Sequence, residues 1–302
     1  MPNKVKHWIS AFRVRTLFLS IAAVILGTGL AMHESEFSIN TTILALLLAI
    51  TIQVLSNLSN DLGDFIKGTD ITGKREGPVR AVQSGNITPK QMKIAIIINI
   101  IVVIFIGLSL IFTSIHNIDI KTILILIGVG LICILAALFY TIGKSAYGYS
   151  GWGDFFAFFF FGPVAVLGTY FLHTNQISPN PIAPSIGLGL ISTMILNVNN
   201  MRDIENDKTS GKITVASIIG LRNAKIYHLL MTIGVFISFV NYNISDSSTT
   251  NYTYIYTLVF VFLLAIMKQI SKKENRELDP FLKQTSIAGL LLAILFSVCI
   301  NI

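Results

Sequence analysis

The chain reads as an all-α polytopic membrane protein with about nine transmembrane helices, and three observations lead there. Of its 302 residues, 53% are hydrophobic and only 12% charged, against roughly 25% charged in soluble domains. Apolar blocks recur along the whole length, and nine spans of about 20 residues would occupy about 180, leaving enough for loops. Lysine and arginine also fall almost entirely into alternate loops. An ordinary soluble globule, a disordered chain and a single-anchor protein are thereby excluded. Residues 1–302 read as one transmembrane domain.

Windows of about 19 residues place spans at 16–32, 41–58, 94–115, 121–142, 155–173, 182–201, 226–244, 252–270 and 285–301, the second extendable through Asp64. Residues 1–10 are polar, carry Trp8 and lead into a span with no small-residue cleavage site after it. They read as a retained anchor segment, not a signal peptide. Of the 22 Lys and Arg residues, all but Lys121 fall on one side of this layout. By the positive-inside rule the N-terminus and the long loops face the cytoplasm and the C-terminus faces out. The net charge of +7 then reflects topology, and no nucleic-acid partner is expected. Cys133 and Cys299 lie in apolar stretches without metal-ligand or disulfide spacing. The outer links, such as 33–36, 116–119, 178–184 and 245–251, are poor in charge and do not resemble a site.

Two polar clusters stand at the cytoplasmic ends of spans two and six. The first is Asn57-Leu58-Ser59-Asn60-Asp61-Leu62-Gly63-Asp64 with Lys67-Gly68-Thr69-Asp70. The second is Asn199-Asn200-Met201-Arg202-Asp203-Ile204-Glu205-Asn206-Asp207. If the helices continue through them, residues four apart lie about 40° apart around the axis. Asn60 and Asp64 then share a face, as do Asn199, Asp203 and Asp207. Grouped carboxylates repel unless a cation lies between them, and hard oxygen donors suit Mg²⁺. A diphosphate in such a pocket would need bridging metal ions. The alternative is a set of helix-end carboxylates balanced by neighbouring Lys and Arg. Two clusters of the form Asn-x-x-x-Asp on one side favour the site. A short internal echo, 70–74 against 207–212, hints at a duplicated four-helix unit.

On these residues the chain resembles the UbiA-type intramembrane aromatic prenyltransferases, over nearly its full length. Asn60-Asp61-x-x-Asp64 with Lys67-Gly68-x-Asp70 matches the family's first Asp-rich motif in its menaquinone-branch form. Arg75-x-Gly77-Pro78-x-Arg80-Ala81-x-Gln83-Ser84-Gly85 matches the loop that follows. Tyr140-Thr141-x-Gly143 and Tyr147-Gly148-Tyr149-x-Gly151-x-Gly153-Asp154 match the stretch between spans four and five. Asn199-Asn200-x-Arg202-Asp203-x-Glu205-x-Asp207-x-x-x-Gly211-Lys212-x-Thr214 matches the second Asp-rich motif. Where the ubiquinone branch usually has a further Asp, this chain has Gly68, and Asp70 takes its place, which favours the naphthoate branch. The Arg13-Val14-Arg15-Thr16-Leu17-Phe18 segment lacks two prolines common in the family.

The resemblance implies nine helices around a central cavity open to the cytoplasmic side of the inner membrane. It implies transfer of a polyprenyl chain from its diphosphate to 1,4-dihydroxy-2-naphthoate, with loss of CO₂, giving demethylmenaquinone. Asn60, Asp64, Asn199, Asp203 and Asp207 would hold Mg²⁺, and Asp61 and Asp70 would be further ligands or base candidates. Asp61, Asp64, Asp203 and Asp207 are thus the expected catalytic carboxylates. Substrate contacts are expected from Asn60, Lys67, Asp70, Arg75, Arg80, Tyr140, Lys144, Asn199 and Arg202, with Arg80 the first choice for the acceptor carboxylate. The donor tail and the bilayer are expected partners, and no obligate protein partner is evident. The Phe155–Phe161 run is expected mainly to face lipid or pack, with Gly162-Pro163 kinking its helix. A different aromatic acceptor is the alternative within the family. A cation-coupled transporter would place its site nearer the bilayer midplane, and a scaffold would not need two matched Asp motifs.

Overall fold

In the computed structural model, which describes residues 2–70, 76–114, 119–144, 146–245 and 251–302, four of the helices begin at side-chain caps. Ser38 accepts from the Thr41 N–H, and Asp119 from that of Thr122. Thr88 and Gln91 cap each other reciprocally, as do Thr214 and Ser217. In order the helices are α1 Pro2–Phe12, α2 Val14–His33, α3 Ile39–Ile66, α4 Pro89–Ser114, α5 Ile120–Phe139 and α6 Gly153–Thr174. There follow α7 Ile182–Arg202, α8 Ile204–Thr209, α9 Val215–Ser245, α10 Leu258–Ile270 and α11 Asp279–Ile300. The internal echo at 71–74, Arg75, and parts of the outer links at 116–118 and 246–250 lie outside the described residues.

Among the described residues, eight helices are long and apolar enough to cross a membrane: α2 to α7, α9 and the helix ending in α11. The chain is therefore a multi-pass membrane protein. The remaining expected span, 252–270, the eighth in chain order, corresponds to a shorter apolar segment, Tyr254–Ile270. Its α-helical part, α10, has 13 residues, or about 20 Å at 1.5 Å per residue, against a hydrocarbon core of about 30 Å. Helices α4 and α9 start earlier than hydropathy windows suggest, at Pro89 and Val215, where Thr88 with Gln91 and Thr214 with Ser217 cap their first turns. Within α9, Gly220 adopts φ 78° and ψ 163°, so the first turn bends away from the long membrane portion.

Two apolar cores organise the helices. One gathers Leu26, Ile191, Phe239, Leu263 and Phe296 from α2, α7, α9, α10 and α11. The other gathers Leu55, Leu58, Met92, Val103 and Ile134 from α3, α4 and α5. Outward faces stay apolar, as lipid requires: Ile101, Phe105 and Phe112 of α4 and Leu124 and Ile125 of α5 are exposed. Phe155 and Phe159 are likewise exposed and stacked on one another, matching the lipid-facing reading of that run. Pro163 does not end α6. Its missing N–H and ring are accommodated by a π-helical stretch, Phe160–Leu167. Beside it, Gly162 lets the backbone of α7 approach so closely that a Cβ would lie 2.5 Å from the Ser185 carbonyl oxygen.

The first acidic motif ends α3, in the second core, and the second ends α7, in the first core.

Candidate active site

Helix α3 continues through Asp64, so Asn60 and Asp64 do share a helical face. Asp61 points the other way. Its two carboxylate oxygens accept the backbone N–H groups of Ala81 and Val82, both at 3.1 Å. That anchors the loop and sets Arg80 over the motif. Arg80 donates Nη1 to the Asn60 carbonyl at 2.8 Å and to Asp64 Oδ2, and lies 3.4 Å from Asp70. Gln83 completes the loop, donating to the Asp70 carbonyl at 2.6 Å and accepting from the Arg80 N–H at 3.1 Å. The three acidic groups Asp64, Asp70 and Asp61 raise the Arg80 pKa, although burial opposes them. Gly63 allows the turn after α5 to press on α3: a Cβ there would lie 2.4 Å from Thr141 Oγ1. Thr141 in turn donates to the Ser59 carbonyl and to Asn60 Oδ1.

In the second motif the helix breaks at Asp203 (φ −104°, ψ 16°), yet the i to i−4 bonds persist from Asp203 to Asn199 and from Asp207 to Asp203. All three side chains therefore remain at one rim. Arg202, 1% exposed, donates Nε and Nη2 to Asp203 at 3.1 and 2.6 Å, Nη2 to Asn199 Oδ1 at 2.8 Å, and Nη1 to Asp279. Asp207 lies 3.7 Å from Lys212 Nζ, and its Oδ2 is buried with no hydrogen-bond partner among the described residues.

A short segment after α5 joins the motifs. Tyr149 donates its hydroxyl to Asp64 Oδ1 at 2.6 Å, while its backbone pairs with Ile213, just beyond Lys212: Ile213 N–H to Tyr149 at 3.1 Å, Gly151 N–H to Ile213 at 3.0 Å. Lys67 Nζ sits 4.2 Å, and Lys212 Nζ 5.7 Å, from the Tyr149 ring centroid. Electrostatics tell the same story. Burial, with Asp203 and Asp64 adding like charge against Lys212, pushes Asp207 up to about 6. Burial opposes the charge on Lys212, but Asp207, Tyr140 and Asp64 hold it up to about 12. Burial and the Asp64 carboxylate raise the Tyr149 hydroxyl well above its ordinary value. Carboxylates about 140 residues apart in the sequence thus act on one lysine.

The structure gathers Asn60, Asp64, Asp70, Arg80, Lys67, Tyr140 and Asp207 into this neighbourhood, with Asn199, Arg202 and Asp203 as its other wall. Lys144 is exposed at the rim, where it borders with Lys67 a cleft of about 380 Å³. Arg75 lies outside the described residues. Asp61 and Arg80 are engaged differently from expectation, Asp61 by the loop backbone and Arg80 by carboxylates of its own chain. Sequence reasoning assigned no role to Tyr149 or Lys212, although both stood in matched motifs. The same holds for the buried Asp154, which ends one of those motifs and accepts a hydrogen bond from Tyr227, whereas Asp279 stood in none.

The donors fit Mg²⁺ by chemistry. Asn60, Asp64, Asn199, Asp203 and Asp207 offer only oxygen, and the orphaned Asp207 Oδ2 is a buried acceptor awaiting a partner. Among the described residues, no three His, Cys, Asp or Glu side chains form a preformed cage. Mg²⁺ commonly binds through one or two carboxylates, with water and phosphate completing the shell.

The anchoring role of Asp61 is testable. Asp61→Ala strands two buried N–H groups and removes two charge-assisted bonds, a loss of about 3 kcal/mol. We expect thermal melting to show a clear destabilisation for Asp61→Ala and a smaller one for Asp61→Asn. Wild-type melting combined with lost turnover would instead make Asp61 a reacting group.

Comparison with known proteins agrees with the geometry. Residues 19–295 match the UbiA prenyltransferase family. The chain is 36% identical to a 1,4-dihydroxy-2-naphthoate octaprenyltransferase of Haemophilus influenzae, covering 98% of this chain and 96% of that one. The protein of that name from Escherichia coli is 35% identical, with 97% and 94% covered. In fold the chain is similar to a UbiA homolog from Aeropyrum pernix K1, with TM-score 0.66, 13% identity, and 94% and 96% coverage. A UbiA homolog from Archaeoglobus fulgidus bound to DMAPP and Mg²⁺ has TM-score 0.64 and 14% identity, with 97% and 99% covered. Helices, motifs and near-full-length relatives agree that this chain belongs to the UbiA prenyltransferase family.

Proposed function

We propose that the protein transfers a polyprenyl chain from polyprenyl diphosphate to 1,4-dihydroxy-2-naphthoate, releasing diphosphate and CO₂ and forming demethylmenaquinone in menaquinone synthesis. The observation that carries this reading is the meeting of two Asn-x-x-x-Asp motifs under Arg80, Arg202 and Lys212. The names of relatives 34–36% identical over nearly the whole chain support the acceptor.

Asn60, Asp64, Asn199, Asp203 and Asp207 would hold Mg²⁺, which the Archaeoglobus fulgidus homolog binds together with a prenyl diphosphate. Bound there, Mg²⁺ would supply Lewis-acid relief of the charge that grows on the leaving diphosphate. Lys67, Arg75, Arg80, Arg202 and Lys212 bring positive charge to its oxygens, the role for which arginine forks and lysine point charges suit phosphate. Tyr149 holds Asp64 through its hydroxyl, and Tyr140 lies close enough to Lys212 and Asp64 to act on them electrostatically. The surrounding helices keep water from the allylic cation that the electron-rich ring attacks. Each buried CH₂ of the tail favours lipid by about 0.8 kcal/mol, so the donor stays in the bilayer and reaches the rim laterally. The alternating Lys/Arg content supports a rim on the cytoplasmic side of the inner membrane, with the N-terminus inside and the C-terminus outside.

The test incubates purified protein with polyprenyl diphosphate, Mg²⁺ and either dihydroxynaphthoate or 4-hydroxybenzoate. Prenylated naphthoquinone is the expected product. Product from 4-hydroxybenzoate alone would reject the acceptor.

A further inference from the structure

Asp279 opens α11, outside every matched motif, yet it completes the shell around Arg202. One of its oxygens accepts Nη1 of Arg202, and the other accepts Nη1 of Arg15, from the first turn of α2, at 3.1 Å. Asp279 is 27% exposed and Arg202 1% exposed. Three of the four hydrogen bonds given above for Arg202 go to Asn199 and Asp203, the donors proposed for the cation. A cation drawn to those oxygens competes with the guanidinium for the same lone pairs and charge. A buried guanidinium stripped of its carboxylate is strongly disfavoured, so its release needs a second acceptor already in place. Arg80 has the same arrangement in the first motif, with Asp64 as one carboxylate and Asp70, 3.4 Å away, as the other.

We infer that Asp279 is a positioning residue. It retains Arg202 when Asn199 and Asp203 turn to a divalent cation, and so lowers the cation concentration that the site requires. The inference rests on the cation-binding reading of Asn199 and Asp203. Without the Asp279 charge, Arg202 grips Asp203 more tightly and competes with the metal.

The experiment counts free Mn²⁺ by its EPR signal while full-length protein in detergent is titrated in the presence of inorganic pyrophosphate. Asp279→Asn is expected to weaken Mn²⁺ binding about tenfold, equivalent to about 1.4 kcal/mol. Asp279→Glu, which keeps the charge, should recover most of that loss. In an Arg202→Gln background, or Arg202→Lys if that protein does not melt cooperatively, Asp279→Asn should add nothing. Equal Mn²⁺ binding by wild type and Asp279→Asn overturns the inference, and so does an effect that persists undiminished without Arg202. A wild type that binds no Mn²⁺ beside pyrophosphate overturns the cation reading itself, and the inference with it.

Discussion

Asp64→Ala and Asp203→Ala are each expected to reduce turnover at least about 100-fold, about 2.7 kcal/mol in the barrier, while the protein stays folded. Asp64 and Asp203 both act on Asp207 from opposite motifs, and each is a proposed metal contact. The folded state survives for a reason visible in the contacts. Without Asp64, Arg80 keeps Asp70 and the Asn60 carbonyl. Without Asp203, Arg202 keeps Asp279 and Asn199. Neither substitution strands a buried cation, which is what makes breaking an ordinary buried ion pair so damaging. Steady-state rates of both variants, with melting curves beside them, check this. Unchanged rates in both would remove the metal bridge from the mechanism.

What the amino-acid order revealed, and what it hid, divides along the range of the interaction. Helices α2 to α7 announce themselves by local apolar content, and Asn60 with Asp64 by a spacing that any helix turns into a shared face. The capped ends at Thr88 and Thr214 are also local, but a cap is a hydrogen-bond signal that a hydropathy window does not read. Asp61 shows the limit most clearly. By type and position it looks as reactive as Asp64, and only the return of residues 81 and 82 across α3 makes it an anchor. Arg80 was expected at an acceptor carboxylate for the same reason, since its pairing with Asp64 depends on how that loop returns. Asp279 was invisible because its partners, Arg202 and Arg15, are 77 and 264 residues away. The matched motifs contained Tyr149 and Lys212 without saying that one would clasp Asp64 and the other Asp207.

Chelation by EDTA should extinguish turnover, and restored Mg²⁺ should recover it, without lowering the melting temperature. The first half follows from the charge balance during reaction. A diphosphate brought against Asp64, Asp203 and Asp207 meets like charge, and divalent cations are the groups able to bridge such partners. The second half follows from the contacts the chain makes by itself. Asp64 and Asp70 face Arg80, Asp203 faces Arg202, and Asp207 faces Lys212. These pairs already compensate the buried carboxylates, so the fold does not depend on metal as a zinc-stapled domain does. Activity and stability are therefore expected to part on chelation. A melting temperature that collapses with EDTA, or activity that metal cannot restore, would show that the cation supports the fold. Turnover undiminished by exhaustive chelation would leave Arg80, Arg202 and Lys212 as the diphosphate's counter-charges, with no metal needed.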